Sequence, residues 1–126
     1  LQPNARLTAF GPDVSRKPER LAVISNERLE ELKSEVGEDD FEEIVALFIA
    51  ESDTIIARLK VASQPVEAEE LLHALKGSAL NLGFDRLAAL CQHGEGQTAG
   101  TDAWPPLVKR LTDVYEQSKA QLAALA

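Results

Sequence analysis

The chain has no methionine, one cysteine, one tryptophan and one tyrosine among its 126 residues. A single cysteine, Cys91, can close no intramolecular disulfide, which excludes a disulfide-stapled scaffold and favours a reducing compartment. Basic charge is also scarce: 13 Lys and Arg stand against 21 Asp and Glu, a formal charge of −8. A surface of that sign repels phosphate backbones, so sequence-independent nucleic-acid binding is excluded. No apolar run nears the ~20 residues of a membrane span, and the uncharged stretch from Ile44 to Ala50 is far too short. The opening residues are polar and broken by Pro3, Pro12 and Pro18, unlike a signal peptide. These absences imply a cytoplasmic domain with no membrane contact of its own. The missing initiator methionine fits a piece of something longer.

What is present is helical periodicity. The length suits one domain, and a chain of this size buries roughly two thirds of its unfolded surface without metal or disulfide staples. Residues 1–24 carry three prolines, Gly11 and scattered charge, the composition of a flexible linker. From residue 25 onward the pattern predicts a short helix followed by four amphipathic ones. Ser25 caps the first, which runs to Val36 and stops at Gly37. Glu38, Asp39 and Asp40 open the second, with an apolar stripe of Phe41, Ile44, Val45, Phe48, Ile55, Leu59 and Ala62. Pro65 sits in the first turn of the third, which carries Ala68, Leu71, Leu75 and Leu82 and stops at Gly83. The fourth spans Asp85 to about His93 and buries Leu87, Ala88 and Cys91. The fifth starts near Asp102 and carries Leu107, Val108, Leu111, Val114 or Tyr115, Ser118 and Leu122. Short connections between amphipathic helices give an all-α, antiparallel four-helix bundle with an additional short N-terminal helix. Each stripe is used up in that bundle, so a monomer is expected.

The third helix holds the informative residues. At about 100° per residue, Leu71, Leu75 and Leu82 fall within about 20° of the pole opposite His73. The imidazole therefore faces solvent, flanked by Glu69, Glu70, Lys76, Gly77 and Leu80, all within about 60°. Gly77 in a helix interior costs about 1 kcal/mol relative to alanine, which makes sense if something approaches the backbone beside His73. Lys76 is the one cation of the patch and could neutralise an added anion. Imidazole, with an ordinary pKa of about 6.5, is a neutral nucleophile for much of the population at pH 7.

The run His73-Ala74-Leu75-Lys76-Gly77-Ser78, followed by Gly83, resembles the H-x-x-K-G-S-x-x-x-x-G signature of histidine-containing phosphotransfer (HPt) domains. The likeness extends over about residues 25–126 as the family's short helix plus four-helix bundle. The resemblance implies that His73 is phosphorylated and exchanges the group with aspartates of response-regulator receiver domains. It further implies that Lys76 steadies the phosphoryl charge, while Gly77, Leu80, Glu69 and Glu70 meet the receiver. Ser78, about 140° from His73, reads as a small packing residue. Some members carry a glutamine about 22 positions after the histidine; that position here is Glu95, with Gln92 one turn earlier, and either Gln92 or solvent supports the imidazole if the segment around Glu95 frays. No cofactor is implied for this chain, Mg2+ being expected in the receiver's acidic pocket. A multistep phosphorelay follows, with the chain as a phosphocarrier that is not an enzyme by itself. The favoured setting is the C-terminal module of a hybrid sensor kinase, with a kinase core in the same parent chain; a free-standing protein and a chemotaxis-kinase module are the other settings.

Other residues point to packing. Cys91, His93 and Glu95 are two apart, so their side chains diverge by about 160° on a helix and cannot chelate one metal ion. Cys91 falls on the apolar stripe, His93 at a helix end, and Trp104 reads as a plug for one end of the bundle. The cluster from Glu38 to Glu43 lacks calcium-loop spacing. The competing class is a non-phosphorylated helical-bundle adaptor that docks signalling partners. Such an adaptor has no need of Lys76 and Gly77 beside an outward histidine.

Overall fold

Ser25 begins the first helix as an N-cap should: its Oγ accepts the Arg28 N–H at 3.1 Å. The computed structural model describes residues 11–97 and 99–125. The elements are α1 (Asn26–Val36), α2 (Glu38–Val61), α3 (Pro65–Leu82), α4 (Asp85–Gly94) and α5 (Trp104–Ala124), and no strand occurs among the described residues. Gly37 ends α1 at φ 88°, and Gly83 ends α3 at φ 74°. At Gly83 a side chain would also lie 2.8 Å from the Ser25 carbonyl oxygen, so only glycine suits this corner. Three residues separate α2 from α3 and two separate α3 from α4, which forces antiparallel neighbours. α5 packs on α4 and closes the bundle against α2. α5 starts two residues later than the sequence suggests, because Thr101 to Trp104 form a turn with the Trp104 N–H bonded to the Thr101 carbonyl.

The core is built from the expected leucines and from Leu72, which the stripe of the third helix did not include. Leu59, Leu72, Leu75, Leu82, Leu87 and Leu111 are completely covered, with Cys91 among them and Trp104 at its edge. Burial pushes the Cys91 thiol well above its ordinary pKa, so it is an inert packing group. The stripe of α2 is only half consumed: Ile55, Leu59 and Ala62 are buried, whereas Phe41, Ile44, Val45 and Phe48 stay half-exposed. The reason is length. At ~1.5 Å per residue α2 outruns its neighbours, and its first turns are covered by the short α1 instead of the bundle. Leu29 and Leu32 supply that cover, and the Lys33 ammonium lies 5.3 Å from the Phe41 ring centre.

The linker expected over residues 1–24 is shorter at its C-terminal side. Pro18, Leu21 and Val23 are buried, and a single 3-10 turn at Pro18–Arg20 lies on α4. Arg86 fixes this strap by donating to the carbonyls of Pro18 at 3.2 Å and Leu21 at 3.0 and 3.1 Å. The Arg86 N–H reaches the Ala22 carbonyl, and the Ser25 N–H reaches that of Gly83. His93 Nε2 donates to the Arg16 carbonyl at 2.9 Å. Scattered charge hid the apolar contacts of Leu21 and Val23, which lie two apart and show no helical period. Residues 1–10 of the expected linker lie outside the described residues.

Candidate functional site

α3 places His73 by burying its opposite face. Leu71, Leu72 and Leu75 turn inward, so the imidazole stands exposed on the outside of the bundle together with Ala74 and Gly77. Among the described residues nothing hydrogen-bonds the ring of His73. A surface imidazole with both nitrogens open can present a lone pair to an electrophile.

Lys76 lies one turn further along, on the side of α3 that faces α4. Its Nζ donates to Gln92 Oε1 at 2.8 Å and sits 2.9 Å from Glu95 Oε2. The cation expected beside His73 is already engaged: the Lys76 side chain keeps only 17% of its surface, and the α3–α4 packing hands it two partners. The same geometry settles where Gln92 and Glu95 go. Both address Lys76, and the segment does not fray, since Glu95 still has helical dihedrals at φ −61° and ψ −23°. What holds it there is Gly94, where a Cβ would come 2.9 Å from Leu107 Cδ2. α4 thus ends pressed against α5, and Glu95 emerges beside Lys76.

Gly77 behaves oppositely. A Cβ built there meets nothing within 4 Å. Among the described residues no neighbour demands the glycine, and the position is open to the outside of the bundle. Glu69 and Glu70 are exposed one turn before His73. Leu80 departs from expectation: it is half-buried and packs on the core, because the tight corner at Gly83 and Phe84 folds α4 back over the end of α3. Ser78 is buried as expected, and its hydroxyl also donates to Glu51 Oε1 at 2.7 Å, tying α3 to α2. Asn81 joins the rim, donating to the Gly77 carbonyl at 3.0 Å and facing Arg28 of α1. Among the described residues no three His, Cys, Asp or Glu side chains gather to hold a metal ion.

An outward histidine, a lysine one turn on and an open glycine thus share one face of a bundle of antiparallel helices. The model of the Hpt domain family matches residues 43–121. The chain belongs to the Hpt domain family. The matched residues of this Hpt domain begin inside α2 and include His73, Lys76, Gly77, Gln92 and Glu95, while α1 and the strap lie before them. The chain is also similar to the phosphorelay protein LuxU of Vibrio harveyi, at 35% identity over 68 residues. That match covers 52% of this chain and 60% of the relative. No solved structure matches at a significant level.

Proposed function

We propose that this Hpt domain is the histidine phosphotransfer module of a multistep phosphorelay. The observation that carries the reading is the exposed, unbonded His73 ring, with Lys76 one turn away and open space at Gly77. In the forward step the Nε2 lone pair attacks the phosphorus of a receiver's aspartyl phosphate. The N–P bond forms as the acyl O–P bond breaks, and its electron pair returns to the aspartate carboxylate. The imidazole proton stays on Nδ1, where solvent can take it up. Transfer to the next receiver reverses these bond changes. Lys76 offsets phosphoryl charge, and Gly77 lets the receiver approach the α3 backbone. Glu69 and Glu70 lie on the same approach. Mg2+ in this scheme belongs to the receiver. With no nucleotide-binding motif in these residues, we place the first source of phosphate in a kinase core elsewhere in the same parent chain, in the cytoplasm; the lone Cys91 suits such a reducing setting.

The test is direct. Incubation with a receiver charged from radiolabelled acetyl phosphate should give acid-labile, base-stable label on the wild-type chain and none on His73→Gln. Label that persists in His73→Gln, or a wild type that takes none, overturns the reading.

A further inference from the structure

Lys76 is asked to serve an incoming phosphoryl group while already bound. Its ammonium is shared between the Gln92 amide and the Glu95 carboxylate. Glu95 Oε2 is buried and receives no hydrogen bond of proper angle, although Nζ lies 2.9 Å away. Its charge is balanced by proximity to one ammonium and by little else, a poor bargain for a carboxylate whose side chain is only 31% exposed. It cannot easily retreat, because the contact of Gly94 with Leu107 fixes the end of α4. Two anions therefore compete for one cation as soon as the group reaches His73.

We infer that Glu95 is the resting counter-ion of Lys76 and sets how firmly His73 holds its phosphoryl group. The inference rests on the phosphotransfer reading of His73 and deepens it. Before transfer, Glu95 and Gln92 hold the ammonium against α4, one turn from the ring. After transfer, about two further negative charges lie within reach of the same ammonium. Lys76 then either divides its charge or leaves Glu95 with an uncompensated, half-buried carboxylate. Both outcomes raise the free energy of the phosphorylated form relative to the free one. Gln92, which is neutral, imposes no such penalty. Glu95 is a positioning residue in this scheme: it acts through Lys76 and touches no reacting atom. Its effect is to keep the carrier from becoming a sink, so that phosphate moves on to a second receiver.

The experiment compares wild type, Glu95→Gln, Lys76→Ala and the double variant against one receiver charged from radiolabelled acetyl phosphate. Circular dichroism first establishes equal helix content. The readout is the equilibrium partition of label between the receiver aspartate and His73. Glu95→Gln should shift it toward His73 by about fivefold, the order expected of one partly screened charge. Raising the salt concentration should shrink that shift. Lys76→Ala should lower the partition most, since Glu95 then faces the phosphoryl group with no cation between. In the Lys76→Ala background, Glu95→Gln should raise the partition by clearly more than its fivefold effect in wild type, a coupling that two independent roles would not produce. A labelled wild type whose partition equals that of Glu95→Gln, or a double variant whose partition is simply the product of the two single effects, overturns the inference and leaves the phosphotransfer reading intact. A wild type that takes no label overturns both.

Discussion

Two lysine–carboxylate clusters bind helices together in this bundle, and they are finished to different degrees. On the α2–α5 side, the Tyr115 hydroxyl lies 2.5 Å from Asp53 Oδ1 and 3.1 Å from the Ile49 carbonyl. Lys119 completes that group, 3.2 Å from Asp53 and 3.3 Å from Glu116, with its ammonium 4.5 Å from the Tyr115 ring centre. Every charge there has a partner of the other sign, and the phenol fills the gap between helices. On the α3–α4 side, Lys76 has the same kind of carboxylate partner, yet one oxygen of Glu95 is left without a directed bond. An exposed histidine stands one turn away with no hydrogen-bond partner among the described residues. The closed cluster is a joint. The open one leaves a carboxylate oxygen beside Lys76 without a directed bond, and the proposed role of Lys76 rests on that difference.

The comparison breaks most visibly if the two lysines are exchanged in importance. Lys76→Ala should reduce phosphoryl occupancy of His73 at least about tenfold in a receiver-labelling assay, the scale of one lost charge-assisted contact. Lys119→Ala should leave labelling unchanged and lower stability by no more than about 1 kcal/mol in urea unfolding, since its partners are largely exposed. Equal effects of the two on labelling would erase the distinction.

A smaller effect is expected at the open rim. Gly77→Arg should slow transfer several-fold with helix content preserved. Gly77→Ala should raise stability by about 1 kcal/mol, because the position has space and pays only the backbone entropy of glycine. Stopped-flow transfer rates and urea midpoints check the pair; an unaffected rate in Gly77→Arg would remove the close-approach argument.

The smallest effect belongs to the closed joint. Tyr115→Phe should cost about 1 kcal/mol and leave phosphotransfer untouched, since it removes one hydrogen bond to a carboxylate that water can reach. The bond from Tyr115 holds the Asp53 carboxyl below its ordinary pKa; partial burial opposes the shift and Lys119 adds to it. A carboxyl with a depressed folded pKa contributes stability above its unfolded value of about 4, and that contribution fades as pH falls through the folded value. Unfolding midpoints followed below pH 4 should therefore show a weaker acid dependence in Tyr115→Phe than in wild type. An unchanged acid dependence would make the Tyr115–Asp53 contact irrelevant to the joint.

What the sequence disclosed and what it withheld divide along the same line. Ser25, Gly37, Pro65 and Gly83 act on the backbone next to them, so helix ends were legible from neighbouring residues alone. The outward direction of His73 followed from the leucines on its own helix. Lys76 and Glu95 are on different helices, and their meeting depends on how closely α4 packs on α3 and α5, which no helical wheel contains. Leu80 was misplaced for the same reason: the wheel gave its direction but not the corner folding over it. A signal for the clamp was present, in that Glu95 occupies the position where some relatives of the signature carry glutamine, but its partner could be named only once the helices were assembled.

The strap around Arg86 bears on how this module is wired. Among the described residues its backbone reaches the bundle ahead of α1, and it is stitched to α4 at Arg86 and again at His93. The strap therefore braces from outside the same helix that carries Gln92 and Glu95, so cutting its stitches at Arg86 or His93 would loosen the grip on Lys76 without touching a residue beside His73.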